Sequence, residues 1–119
     1  MGMDFYIDNE NLQDDDMRFR ALIPLIEAET DYGFLRDETE YGLCLAPHHD
    51  FEPGDCKEIA EALIEVSNRD PMGSLTLHNG VVLPVVWTDY EHTHITRDEA
   101  RHAALWFAIA ASHGGAYLA

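Results

Sequence analysis

Positive charge is what this chain has least of. Its 119 residues hold one lysine, Lys57, and six arginines against 23 acids, a net charge of −16 with histidine neutral. A surface this acidic has no cationic footprint with which to grip phosphates, so direct binding to nucleic acid or to an anionic membrane is not expected. Cysteine is nearly as scarce: Cys44 and Cys56 are too few and too far apart for a zinc ribbon or a redox pair, and both are expected as buried thiols. Long apolar runs are missing too. The longest, Ala103 to Ala111, falls well short of the roughly 20 residues that span a bilayer. The opening Met-Gly-Met-Asp-Phe-Tyr has neither the basic flank nor the apolar stretch of a secretion signal, and a soluble cytoplasmic protein is expected. Serine is confined to Ser67, Ser74 and Ser112. With no G-x-S-x-G elbow, phosphate-binding loop or dinucleotide glycine fingerprint, the common catalytic templates have no carrier.

What is present begins with the placing of the acids. Residues 1–40 hold twelve acids and three arginines (−9), residues 41–66 six acids and one lysine (−5), and residues 67–119 five acids and three arginines (−2). The negative field therefore comes from the N-terminal half. A single α+β domain over residues 1–119 is expected, long enough to remove about two-thirds of its chain surface from water.

The clearest element is a helix over residues 96–112. Thr96 and Glu99 form a capping box, Ile95 can staple onto Ala100, and Gly114-Gly115 supplies the left-handed residue that closes a helix. Every residue from Ala103 to Ala111 is apolar, which predicts a central helix covered on several sides, with Leu105, Trp106, Phe107 and Ile109 each contributing roughly 1.5–3 kcal/mol by burial. A second helix begins at Pro53, a residue suited to a first helical position. Its apolar stripe is Cys56, Ile59, Ala60, Leu63 and Ile64, and its opposite face is an acidic ridge of Glu52, Asp55, Glu58, Glu61 and Glu65.

The remaining elements are shorter. Asp4–Asp8 reads as a strand near an edge. Asn11 then caps a helix with Asp14, Asp15 and Asp16 in its first turn, and Pro24 predicts a kink or a second helix start. Tyr32–Leu35 and Tyr41–Ala46 form a hairpin about the turn 36–40, followed by a loop through His48 to Glu52. Ser74–His78 and Val81–Trp87 form another about Asn79-Gly80, a type I′ signal, with Pro84 marking an edge or a bulge. The tail from Ala116 is left to dock or fray. The sum is a small antiparallel sheet of four to five strands, compatible with a ferredoxin-like arrangement, packed against two to three helices with the C-terminal helix central. Two hairpin-plus-helix units, residues 32–66 and 74–112, can be aligned with a shift of 44 residues, which suggests that their pre-helix loops share one end of the sheet.

Two readings of function follow. In the first, the acids Asp14, Asp15, Asp16, Asp37, Glu38, Glu40, Glu52, Asp55, Glu58, Glu61 and Glu65 meet a basic protein partner, a nucleic-acid-binding complex being the natural one. Fixed carboxylates can occupy a lysine and arginine groove built for phosphates. Phage inhibitors of bacterial defence, anti-CRISPR proteins and DNA mimics among them, are similar in size and charge, though no motif links this chain to any of them. In the second, His48, His49, Asp50, His92 and His94 hold a divalent metal such as zinc, as a binding site or a small hydrolase. A salt-rich cytoplasm would also favour such acidity, and the alanine-rich helix can present a face to a second copy.

Overall fold

The computed structural model describes residues 4–7, 12–14, 19–69, 73–76, 80–87 and 94–119. Nine strands and three helices follow in the order β1 (Phe5–Ile7), β2 (Leu12–Asp14), α1 (Phe19–Glu29), β3 (Arg36–Thr39), β4 (Gly42–Leu45), β5 (His49–Phe51), α2 (Pro53–Ser67), β6 (Gly73–Thr76), β7 (Val82–Trp87), β8 (His94–Thr96), α3 (Arg97–Ser112) and β9 (Ala116–Leu118). The fold is α+β. A four-stranded sheet runs β2-β1-β9-β5, β3 pairs with β4 alone among the described strands, and β6-β7-β8 form a meander. Every ladder among them is antiparallel. A split βαβ arrangement needs parallel neighbours, so the ferredoxin-like version does not form.

The C-terminal tail is the principal surprise. β9 lies inside the four-stranded sheet with β1 on one side and β5 on the other, tied further by the exchange between Asp4 and Ala119, at 2.8 and 3.0 Å. Alternation explains its burial. Phe5, Ile7, His49, Phe51, Ala116 and Leu118 face inward, while Tyr6, Asp50 and Tyr117 face out in one cross-strand row. The inward face meets α3 through an aromatic cluster: Phe5 packs edge-on against Trp106 and Phe107 at centroid distances of 5.6 and 5.7 Å, and Phe51 against Phe107 at 5.5 Å. β1 is an interior strand, one in from the edge strand β2.

α3 carries both ends anticipated for it. The Glu99 amide donates to Thr96 Oγ1 and the Thr96 amide to Glu99 Oε1. At the other end the Gly115 amide donates to the Ala110 carbonyl, the six-residue closure of a Schellman motif, with Gly114 and Gly115 both at positive φ. Gly115 has a second reason to be glycine: a Cβ there would run into the Phe51 carbonyl of β5. The helix is not covered all round, however. Trp106 and Phe107 are buried, but Leu105 and Ile109 are 62% and 40% exposed. A continuous apolar run says nothing about how many sides a small protein can cover.

α2 packs antiparallel to α3. Arg101 at the start of α3 donates to Asn68 Oδ1 at the end of α2, while Gly115 after α3 abuts Phe51 ahead of α2. Cys56, Ile59, Ala60 and Leu63 are buried as the stripe requires; Ile64 is 46% exposed, and Val66 is buried in its place. α1 runs unbroken through Pro24, so two short helices do not form.

Several other expectations shift. Asp14 belongs to β2 and not to a helix start, because Phe5 to Ile7 offer it an antiparallel partner; Asp15 and Asp16 lie outside the described residues. The first hairpin forms later in the chain, with Arg36–Thr39 as its first strand and the turn at Glu40-Tyr41. The supposed loop after Pro47 contains β5. In the second hairpin Thr76 opposes Val82, so an odd number of residues separates the strands; a two-residue Asn79-Gly80 turn would set His78 opposite Val81. Gly80 does take a positive φ of 83°. β7 is a central strand in spite of Pro84. The reason is local: β8 pairs only with Val85 to Trp87, so Pro84 sits one residue beyond its reach.

Candidate functional site

The first hairpin, β3–β4, stands out from the body. All of β3 and Gly42, Leu43 and Cys44 of β4 are exposed. Register pairs Arg36 with Leu45 and Glu38 with Leu43, which places these four on one face. The inner pair is held down: Arg36 forms a two-pronged ion pair with Glu27 of α1, at 2.6 and 3.1 Å, and Leu45 packs against the core. The outer pair continues the same face past the body, leaving Leu43 72% exposed. Leu35 is 68% and Tyr41 86% exposed. Cys44 is exposed as well, beside Thr39 Oγ1 at 3.4 Å, and is not the buried thiol anticipated; Cys56 is buried. The cause is the same overhang, which leaves the hairpin with no layer above it.

Carboxylates share this arm with the apolar side chains. Asp37, Glu38 and Glu40 are exposed, and none of their carboxylates forms a hydrogen bond or ion pair among the described residues. Glu61 on α2 is in the same state, whereas the other acids of the ridge have local duties. Asp55 accepts from the Glu52 amide as part of the α2 cap, and Glu58 Oε1 accepts from the Asp31 amide at 3.0 Å, tying the loop after α1 to α2. Glu65 stands near enough to Arg69 to help raise its pKa. Glu52, Glu58 and Glu65 are nonetheless exposed. The side chain of Asp14 lies outside the described residues.

Two of the nearby cations are already committed. Arg69 grips Glu29 through two hydrogen bonds of 2.6 and 2.9 Å, and Arg36 grips Glu27. The hydrogen bond from Arg36, together with its charge, holds the Glu27 carboxyl below the usual range, and each arginine is held above its own. Lys57 stands on α2 one turn before Glu61, yet among the described residues neither the hairpin carboxylates nor that of Glu61 forms an ion pair, and Glu65 has only the attraction of Arg69.

Among the described residues the histidines are not gathered at one site. His49 is buried, and its Nε2–H donates to the Ala46 carbonyl at 2.9 Å with its ring edge-on to Phe34, so that nitrogen is not available to a metal. His48 Nε2 lies 2.8 Å from Asp50 Oδ1, and its ring stacks on Tyr117. These three sit on or beside β5 in the four-stranded sheet. His94 lies on β8 in a different sheet, with its side chain outside the described residues, as is all of His92. Among the described residues no group of three or more histidine, cysteine, aspartate or glutamate side chains is arranged to hold an ion. β5 and β8, which directly precede the two helices, belong to separate sheets, and residues 88–93 of the second loop lie outside the described residues.

No family model, curated protein or solved structure matches the chain. No helix among the described residues is long and apolar enough to cross a membrane. Sequence reasoning placed Leu35, Tyr41 and Leu43 in strands and did not single them out as surface features. The one available signal was the crowding of Asp37, Glu38 and Glu40 between them, which is poor company for a buried face.

Proposed function

We propose that this chain is a small, acidic, non-enzymatic binding protein that occupies a basic, nucleic-acid-binding surface of a partner protein, in the manner of phage anti-defence inhibitors and DNA mimics. The observation that carries the reading is the pairing state of the charges. Arg36 and Arg69 neutralise Glu27 and Glu29 within the fold, while Asp37, Glu38, Glu40 and Glu61 stand exposed without an ion pair among the described residues. Such carboxylates repel one another and offset part of the folding free energy, a cost relieved when a cationic surface covers them. Tyr41 and Leu43 on the arm supply the apolar anchors that charge alone does not, aromatic side chains in particular being frequent hot spots.

The test is capture from host extract at low salt, followed by competition. The expected retained species is a nucleic-acid-binding protein that duplex DNA and the chain bind in mutual exclusion, with affinity falling steeply as salt rises. Replacing Glu38, Glu40, Glu61 and Glu65 together by lysine is expected to weaken binding roughly 100-fold or more while circular dichroism stays unchanged. Capture that ignores both salt and charge reversal defeats the proposal.

A further inference from the structure

The outer face of α3 differs in kind from the rest of this acidic protein. Asp98 is exposed in the first turn of α3, but from Arg101 to Ser112 the helix contains no acid, and its exposed positions there include Arg101, Leu105, Ala108 and Ile109. Leu105 and Ile109, one turn apart, stand 62% and 40% exposed. Because α2 runs antiparallel alongside, with Asn68 bonded to Arg101, stepping one turn along each helix brings Ile64 to the level of Leu105, and two turns brings Glu61 to the level of Ala108. This register sets Ile64, itself 46% exposed, and the exposed Glu61 on the side of α2 that carries Asn68, next to the strip.

We infer that this strip is the contact by which two copies of the chain form a two-fold dimer through antiparallel α3 helices. Charge chooses the occupant. A basic partner is drawn by the field of the hairpin and ridge and gains little from a strip in which Asp98 is followed one turn later by Arg101 and then by apolar residues. A second copy is acidic, and this strip is where it can approach without setting carboxylate against carboxylate. Self-complementarity supports the same occupant. With Leu105 packed near the two-fold axis, Arg101 of one copy reaches the level of Ile109 of the other, beside that copy's Glu61, so each interface contains two opposite-charge encounters. Ala108, small and central, lets the helix backbones come close. The inference does not rest on the proposed function, and of the residues assigned there it shares Glu61 alone.

The two associations have opposite salt dependence. Binding to a basic partner weakens as salt rises, whereas self-association of two bodies each carrying −16 strengthens as their repulsion is screened. Sedimentation velocity of the full chain is expected to show monomer at low salt and dimer at about 1 M salt, where the Debye length is about 3 Å. Leu105→Glu, an exposed substitution that leaves circular dichroism unchanged, is expected to raise the dimer Kd roughly 100-fold or more. Arg101→Glu should weaken the dimer and Arg101→Glu with Glu61→Arg should restore it. A chain that remains monomeric in high salt up to roughly 1 mM protein, or a dimer indifferent to Leu105→Glu, overturns the inference.

Discussion

The chain contains the order strand, strand, strand, helix twice, as β3-β4-β5-α2 and as β6-β7-β8-α3, and the two units end up very differently. In the second, the three strands remain together as a meander with Val85 and Ile95 buried beneath α3. In the first, β5 leaves its hairpin and pairs with β9, so among the described strands β3 and β4 have only each other. Their exposure follows from that desertion. A two-stranded ribbon with no third strand and little cover cannot hide alternate residues, and Tyr41 and Leu43 remain in water beside Glu38 and Glu40. The lesson is that the arm is made at a distance, by three residues at the far end of the chain that capture β5.

The harshest way to break this contrast is Leu118→Asp. Leu118 is fully buried, between Phe5 and His49 in the sheet, and an unpaired carboxylate there costs several kcal/mol by desolvation. Loss of the cooperative thermal transition is expected, together with exchange of the β1 and β5 amides. Retention of a native melt would mean that β9 does not organise the sheet. Next comes a paired truncation. Val85→Ala in the meander is expected to cost roughly 1–3 kcal/mol in urea denaturation, against less than about 0.5 kcal/mol for Leu43→Ala on the arm. Equal costs would show that the hairpin is packed in solution and the distinction between the units false.

The smallest expected effect concerns the anchor at the root of the arm. The folded-state pKa of Glu27 is lowered, first by its hydrogen bond from Arg36. A depressed carboxyl stabilises the fold above its unfolded pKa and loses that contribution as pH falls through the folded value. Stability measured against pH should therefore show wild type exceeding Glu27→Gln near neutrality, with the gap closing on the acid side of 4.5, the ordinary glutamate value. Both side chains are partly exposed, at 39% for Arg36 and 25% for Glu27, so solvent screening limits the gap to about 1 kcal/mol or less. A gap that instead widens in acid would contradict the assigned pairing.

The legible parts of this protein were those whose signals are local. Thr96 with Glu99, Pro53 at a helix start and Gly114-Gly115 at a helix end act on the backbone within one turn, and all three are observed as read. β5 and β9 were not legible, because a three-residue strand is too short for its alternation to stand out. His49-Asp50-Phe51 resembles a loop and Ala116-Tyr117-Leu118 a fraying end until each is seen beside the other. On the candidate surface, the exposure of the hairpin and ridge acids was readable, but that Arg36 and Arg69 would be committed to Glu27 and Glu29 was not.

By itself the sequence determined the negative charge and its bias toward the N-terminal half, the two long helices with their ends, and the α+β class, since composition, caps and periodicity operate over a few residues. Tertiary structure alone decided that the tail is an inner strand, that β3–β4 projects, and that Leu105 and Ile109 face water. Each of these depends on which segments win a limited set of pairing edges and covering faces, a competition between residues far apart in the chain.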